Sequence, residues 1–309
     1  MKEKVLEIKN VSKSYRGRIA VNNVSFDVYE GEIFGFLGPN GAGKTTLIKA
    51  ITGLSKQDSG EIIICGKNLK DDFVGAIKNI GAIIENPDMY KHLSGYENLR
   101  YYASFYPNVT DDDIWDAIRM VNMQARAKEK LKKYSLGMKQ RMGIAQALMS
   151  KPKLLILDEP TNGLDPAGIK EIRDLFKKIS KEQGISVMIS SHILSEMQLM
   201  CDRVGIINNG ELVAVCDVDE VLHRANSRIK FRITVSDTQK AKELIENRYE
   251  IVADIENNDI VLTFDSSKIP EANALLINNG IGVSMIKGEE KTLEDLFIEL
   301  TQSGGTQIV

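Results

Sequence analysis

Apolar residues recur along this chain with two different periods, and the switches between them predict its elements. Residues 5–11 alternate as a strand, a loop carrying Tyr15 follows, and residues 21–29 alternate again with Val24, Phe26 and Val28 on one face. The pair reads as an antiparallel edge. The run Gly31-Glu32-Ile33-Phe34-Gly35-Phe36-Leu37 has the length and content of a buried strand, and at Leu47, Ile48 and Ile51 the period becomes helical. Further strands are expected at residues 61–65 and 80–84, the latter ending at Glu85. A helical insertion over about residues 86–150 follows. Leu99, Tyr102 and Phe105 share one of its faces, and Ile114, Ile118 and Val121 another. Asp111, Asp112 and Asp113 place negative charge where a first helical turn prefers it. Ser135 is positioned to cap a helix with Met142, Ala145, Leu148 and Met149 on its apolar side.

Lys153-Leu154-Leu155-Ile156-Leu157-Asp158-Glu159-Pro160 is a short continuous apolar run that ends in two carboxylates. That is the pattern of a central parallel strand with acids at its C-terminal edge, where ligands of such sheets bind. A helix to about residue 181, a strand over 185–190 ending at Ser191-His192, then a helix and a hairpin turning at Asn208-Asn209-Gly210 close this domain near Asp217. Beyond it no glycine-rich or acid-tipped strand recurs. Alternating and helical stretches follow in the order β-α-β-β-α-β, a split βαβ unit of ferredoxin-like type, with Leu293, Phe297 and Leu300 on a final helix. The fold class expected is therefore α/β over residues 1–218, a mixed sheet with helices plus an antiparallel β edge and the helical insertion, joined to a small α+β domain over 219–309.

Composition narrows the class. The 309 residues exceed one compact core, which agrees with two domains. A net charge of −3 gives no electrostatic footprint for nucleic acid, so no nucleic-acid partner is expected. Cys65, Cys201 and Cys216 are odd in number and far apart, which argues for reduced, buried thiols rather than a disulfide framework or a zinc site. The N-terminus lacks a signal-peptide apolar core, and no apolar run approaches the length of a membrane span, so a cytoplasmic location is expected.

The candidate chemistry centres on Gly38-Pro39-Asn40-Gly41-Ala42-Gly43-Lys44-Thr45-Thr46, which fits the phosphate-loop pattern and lies between a strand and a helix, as that motif requires. Glycines at 38, 41 and 43 let successive N–H groups curl around an anion, and the helix N-terminus adds partial positive charge. Lys44 is then expected on the β- and γ-phosphates and Thr45 on Mg²⁺.

Four signals stand in one order: the phosphate loop, the Ser135/Gly137 segment, the acid-tipped strand at Asp158-Glu159, and His192 after a strand. Together they resemble the nucleotide-binding subunit of ATP-binding-cassette (ABC) transporters over roughly residues 4 to 218. The resemblance implies roles. Residues Gly38 through Thr46 match the Walker A loop, Tyr15 the aromatic that stacks on adenine, Asp158 the acid holding Mg²⁺ through water, Glu159 the carboxylate that polarises the attacking water, and His192 the switch histidine on the γ-phosphate. Ser135 and Gly137 match the signature segment that contacts the nucleotide of the other subunit. Gly163-Leu164-Asp165 matches the loop that crosses between subunits. The implied assembly is an ATP-dependent head-to-tail homodimer, peripheral on the inner face of the membrane through a separate transmembrane permease.

Leu136 and Met138 depart from the glycine and glutamine usual in that signature. Glu85 stands where the family places a glutamine that senses Mg²⁺ and faces the permease; an ionised glutamate accepts only, so it suits a Mg²⁺-bound water and repels a phosphate oxygen. Glu85 with Asn86-Pro87 and Tyr90, the Ser135–Arg141 variant and Leu293-Glu294-Asp295-Leu296-Phe297 resemble the subgroup that exports or gives immunity to bacitracin, lantibiotics and similar peptide antibiotics. The alternative is a non-transport ABC ATPase acting on ribosomes or DNA; those proteins carry two cassettes or a long coiled coil, and this chain has neither. A phosphate-loop kinase or GTPase does not account for Ser135/Gly137 or His192. The C-terminal domain is open between a ligand-binding regulator and a dimer-stabilising cap.

Overall fold

The computed structural model describes residues 2–296. The chain divides into two compact units, Met1–Asp217 and Val218–Val309.

In the first unit, β1 (Lys4–Tyr15) and β2 (Arg18–Tyr29) lead into β3 (Ile33–Leu37) and α1 (Lys44–Ile51). Next come β4 (Ser59–Ile64), β5 (Lys67–Asn68), α2 (Phe73–Ile77) and β6 (Ile80–Ile83). The strands β2-β1-β4-β5 form the expected antiparallel β edge, as a sheet of their own. The reason lies in β2: Phe26 stacks 5.0 Å from Phe34 and 5.3 Å from Phe36 of β3, so its apolar face packs onto β3 and does not extend the central sheet sideways.

Tyr15 is placed differently from the expected loop. It ends β1 and pairs with Arg18, and the chain reverses at Arg16 and Gly17, both at positive φ. Asp58 explains the extension. It accepts hydrogen bonds from the Ser14 N–H and hydroxyl, each at 2.6 Å, and from Lys13 Nζ at 2.9 Å, which holds a polar stretch in strand conformation past the end of the apolar alternation.

The insertion contains α3 (Gly95–Ala103), α4 (Asp111–Met120) and α5 (Leu136–Leu148). Reciprocal capping boxes, Ser94 with Glu97 and Thr110 with Asp113, start the first two. Leu99, Ile114, Ile118 and Val121 are buried as the pattern predicts. Phe105 is not: α3 stops at Ala103, so this ring leaves the helical face and is 66% exposed. Then follow β7 (Leu154–Asp158), α6 (Pro166–Gln183), β8 (Ser186–Ser191), α7 (Leu194–Gln198), β9 (Arg203–Asn208) and β10 (Glu211–Asp217).

The central sheet has the order β10-β9-β3-β8-β7-β6, parallel except for β10. Its rim is fixed by buried Glu32, which accepts from the Tyr29 N–H at 2.8 Å and from Arg203 Nη1 at 3.0 Å. The three cysteines are unpaired thiols. Cys201 is buried, which pushes its thiol well above the ordinary range; Cys65 and Cys216 are only half-buried, and burial raises Cys216 to about 11.

The second unit begins with α8 (Val218–Ala225) and continues through β11 (Arg228–Val235), α9 (Thr238–Tyr249), β12 (Ala253–Glu256), β13 (Asp259–Asp265), α10 (Ile269–Asn278) and β14 (Val283–Glu289). Its sheet is antiparallel in the order β12-β13-β11-β14. Ile229, Phe231, Ile233 and Val235 alternate along β11 and share a core with Ala241 and Ile245 of α9 and Ala272 and Leu276 of α10. Leu293 is buried, whereas Phe297 and Leu300 of the expected final helix lie outside the described residues. Among the described residues no helix is long and apolar enough to cross a membrane.

Candidate active site

The parallel strands bring their C-terminal ends to one edge, and β3 enters the glycine-rich loop there. Glycine is required at two of its positions. A Cβ at Gly38 would lie 2.2 Å from the Ile207 carbonyl oxygen, and Gly43, at φ 110°, would put one 2.3 Å from that of Ala20. The loop is braced from the far end of the unit: the Gly210 N–H in the β9–β10 hairpin donates to Ala42 O at 2.9 Å, and the Asn22 N–H donates to Gly210 O at 2.7 Å. Helix α1 then opens at Lys44 with no side-chain cap and no acid in its first turn, leaving its N–H groups and partial positive charge for an anion. Lys44 is buried. Its ammonium donates to Gly38 O at 2.7 Å and Pro39 O at 3.3 Å and lies 3.4 Å from Glu159 Oε1.

Strand β7 supplies the acids. Asp158 is level with Ser190 on β8, and its carboxylate accepts from the Ser190 hydroxyl and, at 2.8 Å, from the Thr45 hydroxyl. Glu159 leaves the strand in the left-handed region, φ 51°, with its N–H donating to Ser190 Oγ at 3.0 Å. This turn aims its carboxylate at His192, whose Nδ1 is 2.9 Å from Glu159 Oε2. Asn40, Gly41, Gly43, Lys44, Thr45, Thr46, Glu159 and His192 line one cavity of about 280 Å³, joined by Ala20 and Asn162. Gly38 and Ala42 shape the loop without lining the cavity. The Thr45 hydroxyl and the Asp158 carboxylate are hard oxygen donors side by side, the set magnesium takes when phosphate and water complete its shell. Among the described residues there is no group of three or more acidic, His or Cys side chains placed to hold a metal.

Besides Gly38, Ala42 and Asp158, the last of which meets the cavity through its hydrogen bond from Thr45, four expected residues lie outside its lining. Tyr15 is half-exposed, with its hydroxyl 3.1 Å from Ser55 Oγ and Lys13 Nζ 5.1 Å from its ring centroid. Glu85, at φ 67°, has its carboxylate 3.4 Å from Lys49 Nζ and its side chain 70% exposed. Ser135 caps α5 by accepting from the Met138 N–H at 3.3 Å. Gly137 sits beside Leu164, and Gly163 beside exposed Leu136. Sequence reading missed Ser190, Asn162 and Ala20. Ser190 carried a signal: it ends the strand that a parallel sheet sets beside the acid-tipped one.

A phosphate loop opening a helix, with paired acids at the end of β7, two strands away across β8 in a parallel sheet, defines a nucleotide-binding ATPase domain. Residues 21–162 match the ABC transporter family. The chain is 44% identical to the uncharacterized ABC transporter ATP-binding protein YhcH of Bacillus subtilis, covering 96% of each chain. It is 40% identical to the bacitracin transport ATP-binding protein BcrA of Bacillus licheniformis, covering 98% of each. It is 42% identical to the lantibiotic transport ATP-binding protein SrtF of Streptococcus pyogenes, covering 70% of this chain and 92% of that one. Among solved structures, the dimeric post-hydrolysis ATP-binding cassette MJ0796 with ADP and Pi aligns with a TM-score of 0.62 at 25% identity, covering 69% of this chain and 98% of that one. The chain belongs to the ATP-binding proteins of ABC transporters. It binds nucleotide and is an ATPase coupled to transport, and ATP-binding subunits of this family work with separate permease subunits.

Proposed function

We propose that two copies of this chain clamp two magnesium-bound ATP molecules head to tail at the inner face of the membrane and drive a separate permease that exports, or gives immunity to, peptide antibiotics or related amphiphiles. The observation that carries this reading is a division of labour: Lys44, Thr45, Glu159 and His192 line one cavity, while the Ser135-capped end of α5 stands outside it. A helix N-terminus apart from its own cavity suits the phosphate of a nucleotide held by a partner. Tyr15 would stack on the adenine.

Thr45, and Asp158 through water, would hold magnesium, which supplies charge neutralisation of the triphosphate. Lys44 binds the β- and γ-phosphates, and the N–H groups of the loop and of α1 take the remaining oxygens. Glu159 orients a water toward the γ-phosphorus and accepts its proton as the bond to the β-phosphate oxygen breaks, giving ADP and phosphate. His192 fixes the Glu159 carboxylate from one side and reaches the γ-phosphate from the other.

Exposed aromatic rings on the insertion, Tyr90, Tyr101, Phe105 and Tyr106, support a docking face for the permease, since clustered exposed apolar surface marks interaction sites. Kinship with BcrA and SrtF supports peptide antibiotics as the cargo. The decisive test has two arms. Glu159→Gln should elute as a dimer with ATP and magnesium, and adding Ser135→Arg should return it to monomer; a dimer indifferent to Ser135→Arg removes the head-to-tail arrangement. Purification from the native membrane should retain a polytopic protein, and its gene's deletion should sensitise cells to bacitracin-type peptides.

A further inference from the structure

Two glutamates end adjacent parallel strands of this sheet, and both leave them in the left-handed region, Glu159 after β7 at φ 51° and Glu85 after β6 at φ 67°. Ile83 and Leu157 form the last pair of the β6–β7 ladder, and Glu85 and Glu159 each follow two residues later. Each carboxylate meets a lysine of α1: Lys44 lies 3.4 Å from Glu159, and Lys49 lies 3.4 Å from Glu85. The first pair lies at the cavity; the second lies outside it, with Glu85 mostly exposed. A non-glycine residue in the left-handed region persists only where its surroundings hold it, and such outliers gather at functional sites. At Glu85 the charged neighbour is Lys49.

From this geometry we infer that Lys49 is a positioning residue for the magnesium–nucleotide site: its ammonium holds the Glu85 carboxylate on the flank of α1 and keeps it from joining Asp158 and Glu159 beside the triphosphate. The inference rests on the nucleotide site proposed above. A carboxylate is an acceptor only. Released toward the cavity, Glu85 favours a magnesium-bound water and disfavours phosphate oxygens, so the balance between affinity for free and for magnesium-bound nucleotide depends on where it is held. The pair is largely exposed, so its grip is modest and sensitive to salt. Lys49 also occupies the last turn of α1, where a cation suits the helix dipole whatever stands at position 85. The two roles separate in a double-mutant cycle.

The test is equilibrium binding of a fluorescent ATP analogue to the full chain at graded magnesium, for wild type, Lys49→Met, Glu85→Gln, the double variant and Lys49→Arg. Lys49→Met should lower the half-saturating magnesium concentration by about two- to fivefold, the range open to an exposed ion pair. The shift should vanish in the Glu85→Gln background, and Lys49→Arg should behave as wild type. An equal shift with and without Glu85, or no shift in Lys49→Met, overturns the inference. Failure of the wild type to bind the analogue at all would instead defeat the nucleotide site itself.

Discussion

Glu159 Oε2 lies 2.9 Å from Nδ1 of His192, while the other oxygen of the same carboxylate lies 3.4 Å from the Lys44 ammonium. One side chain is thus held between the phosphate-loop lysine and the histidine that follows β8. Glu159→Gln keeps the shape and loses the proposed proton acceptor, so turnover should fall by about 10²–10⁴-fold while nucleotide affinity holds. Phosphate release under single-turnover conditions, beside analogue binding, reads both; wild-type turnover in this variant would strip Glu159 of its role.

Lys44→Ala removes the buried cation proposed to bind the triphosphate. Charge-assisted hydrogen bonds are worth about 1.5–3 kcal/mol each, so nucleotide affinity should weaken by about 10- to 100-fold. Gly43→Ala should do more, because its Cβ would lie 2.3 Å from Ala20 O and φ is 110°. The two differ in circular dichroism melts: Lys44→Ala, which leaves Gly38 O, Pro39 O and Glu159 without this partner, should melt somewhat earlier than wild type, and Gly43→Ala earlier still.

Asp58 anchors the strand end that carries Tyr15. Hydrogen bonds from the Ser14 hydroxyl, Lys13 and the Ser14 N–H hold its carboxyl down to about 2, from an ordinary 3.8. A depressed carboxyl stabilises the fold above its unfolded value and loses that contribution as pH falls through the folded one. Wild-type stability should therefore decline between pH 4 and pH 2 with a component absent from Asp58→Asn, measured by thermal melts across that range. At neutral pH the same variant should bind the ATP analogue more weakly if Tyr15 stacks on the base.

Glu32 shows the opposite sign. Burial raises its carboxyl above the usual 4.5, against the pull of the Tyr29 N–H and Arg203. A raised acid contributes stability that is complete below its unfolded value and lost as pH rises through the folded one. Glu32→Gln abolishes that slope and should cost about 1 kcal/mol, since an amide oxygen still accepts from Tyr29. Glu32→Ala should cost about 3 kcal/mol, the low end for breaking a buried pair because Arg203 keeps some solvent access. Urea unfolding at pH 5 and pH 8 shows the slope in wild type alone, and the unfolding free energy at one pH distinguishes the two variants.

Much of the central sheet was legible because its strands are buried on both faces and read as unbroken apolar runs, as at Ile33–Leu37 and Leu154–Asp158. The glycine loop was legible for a related reason: Gly38 and Gly43 stand where a Cβ has no room. What escaped depends on polar contacts between distant segments. Tyr15 ends a strand because Asp58 reaches across to Ser14 and Lys13, which no periodicity encodes. Ser190 sits under Asp158 through a register that only the assembled sheet fixes. Phe105 fell off its face because the apolar spacing ran on past the end of α3. Lys49 and Glu85 meet across 36 positions of sequence, through two surface side chains that carry no pattern.

The Gly210 N–H that bonds Ala42 O, and the Ile207 carbonyl pressed against Gly38, sit almost at the end of the first unit. The anion cradle near the start of the chain is therefore unfinished until nearly all of that unit has left the ribosome. A nascent chain halted before residue 207 holds every letter of the motif and lacks its back wall.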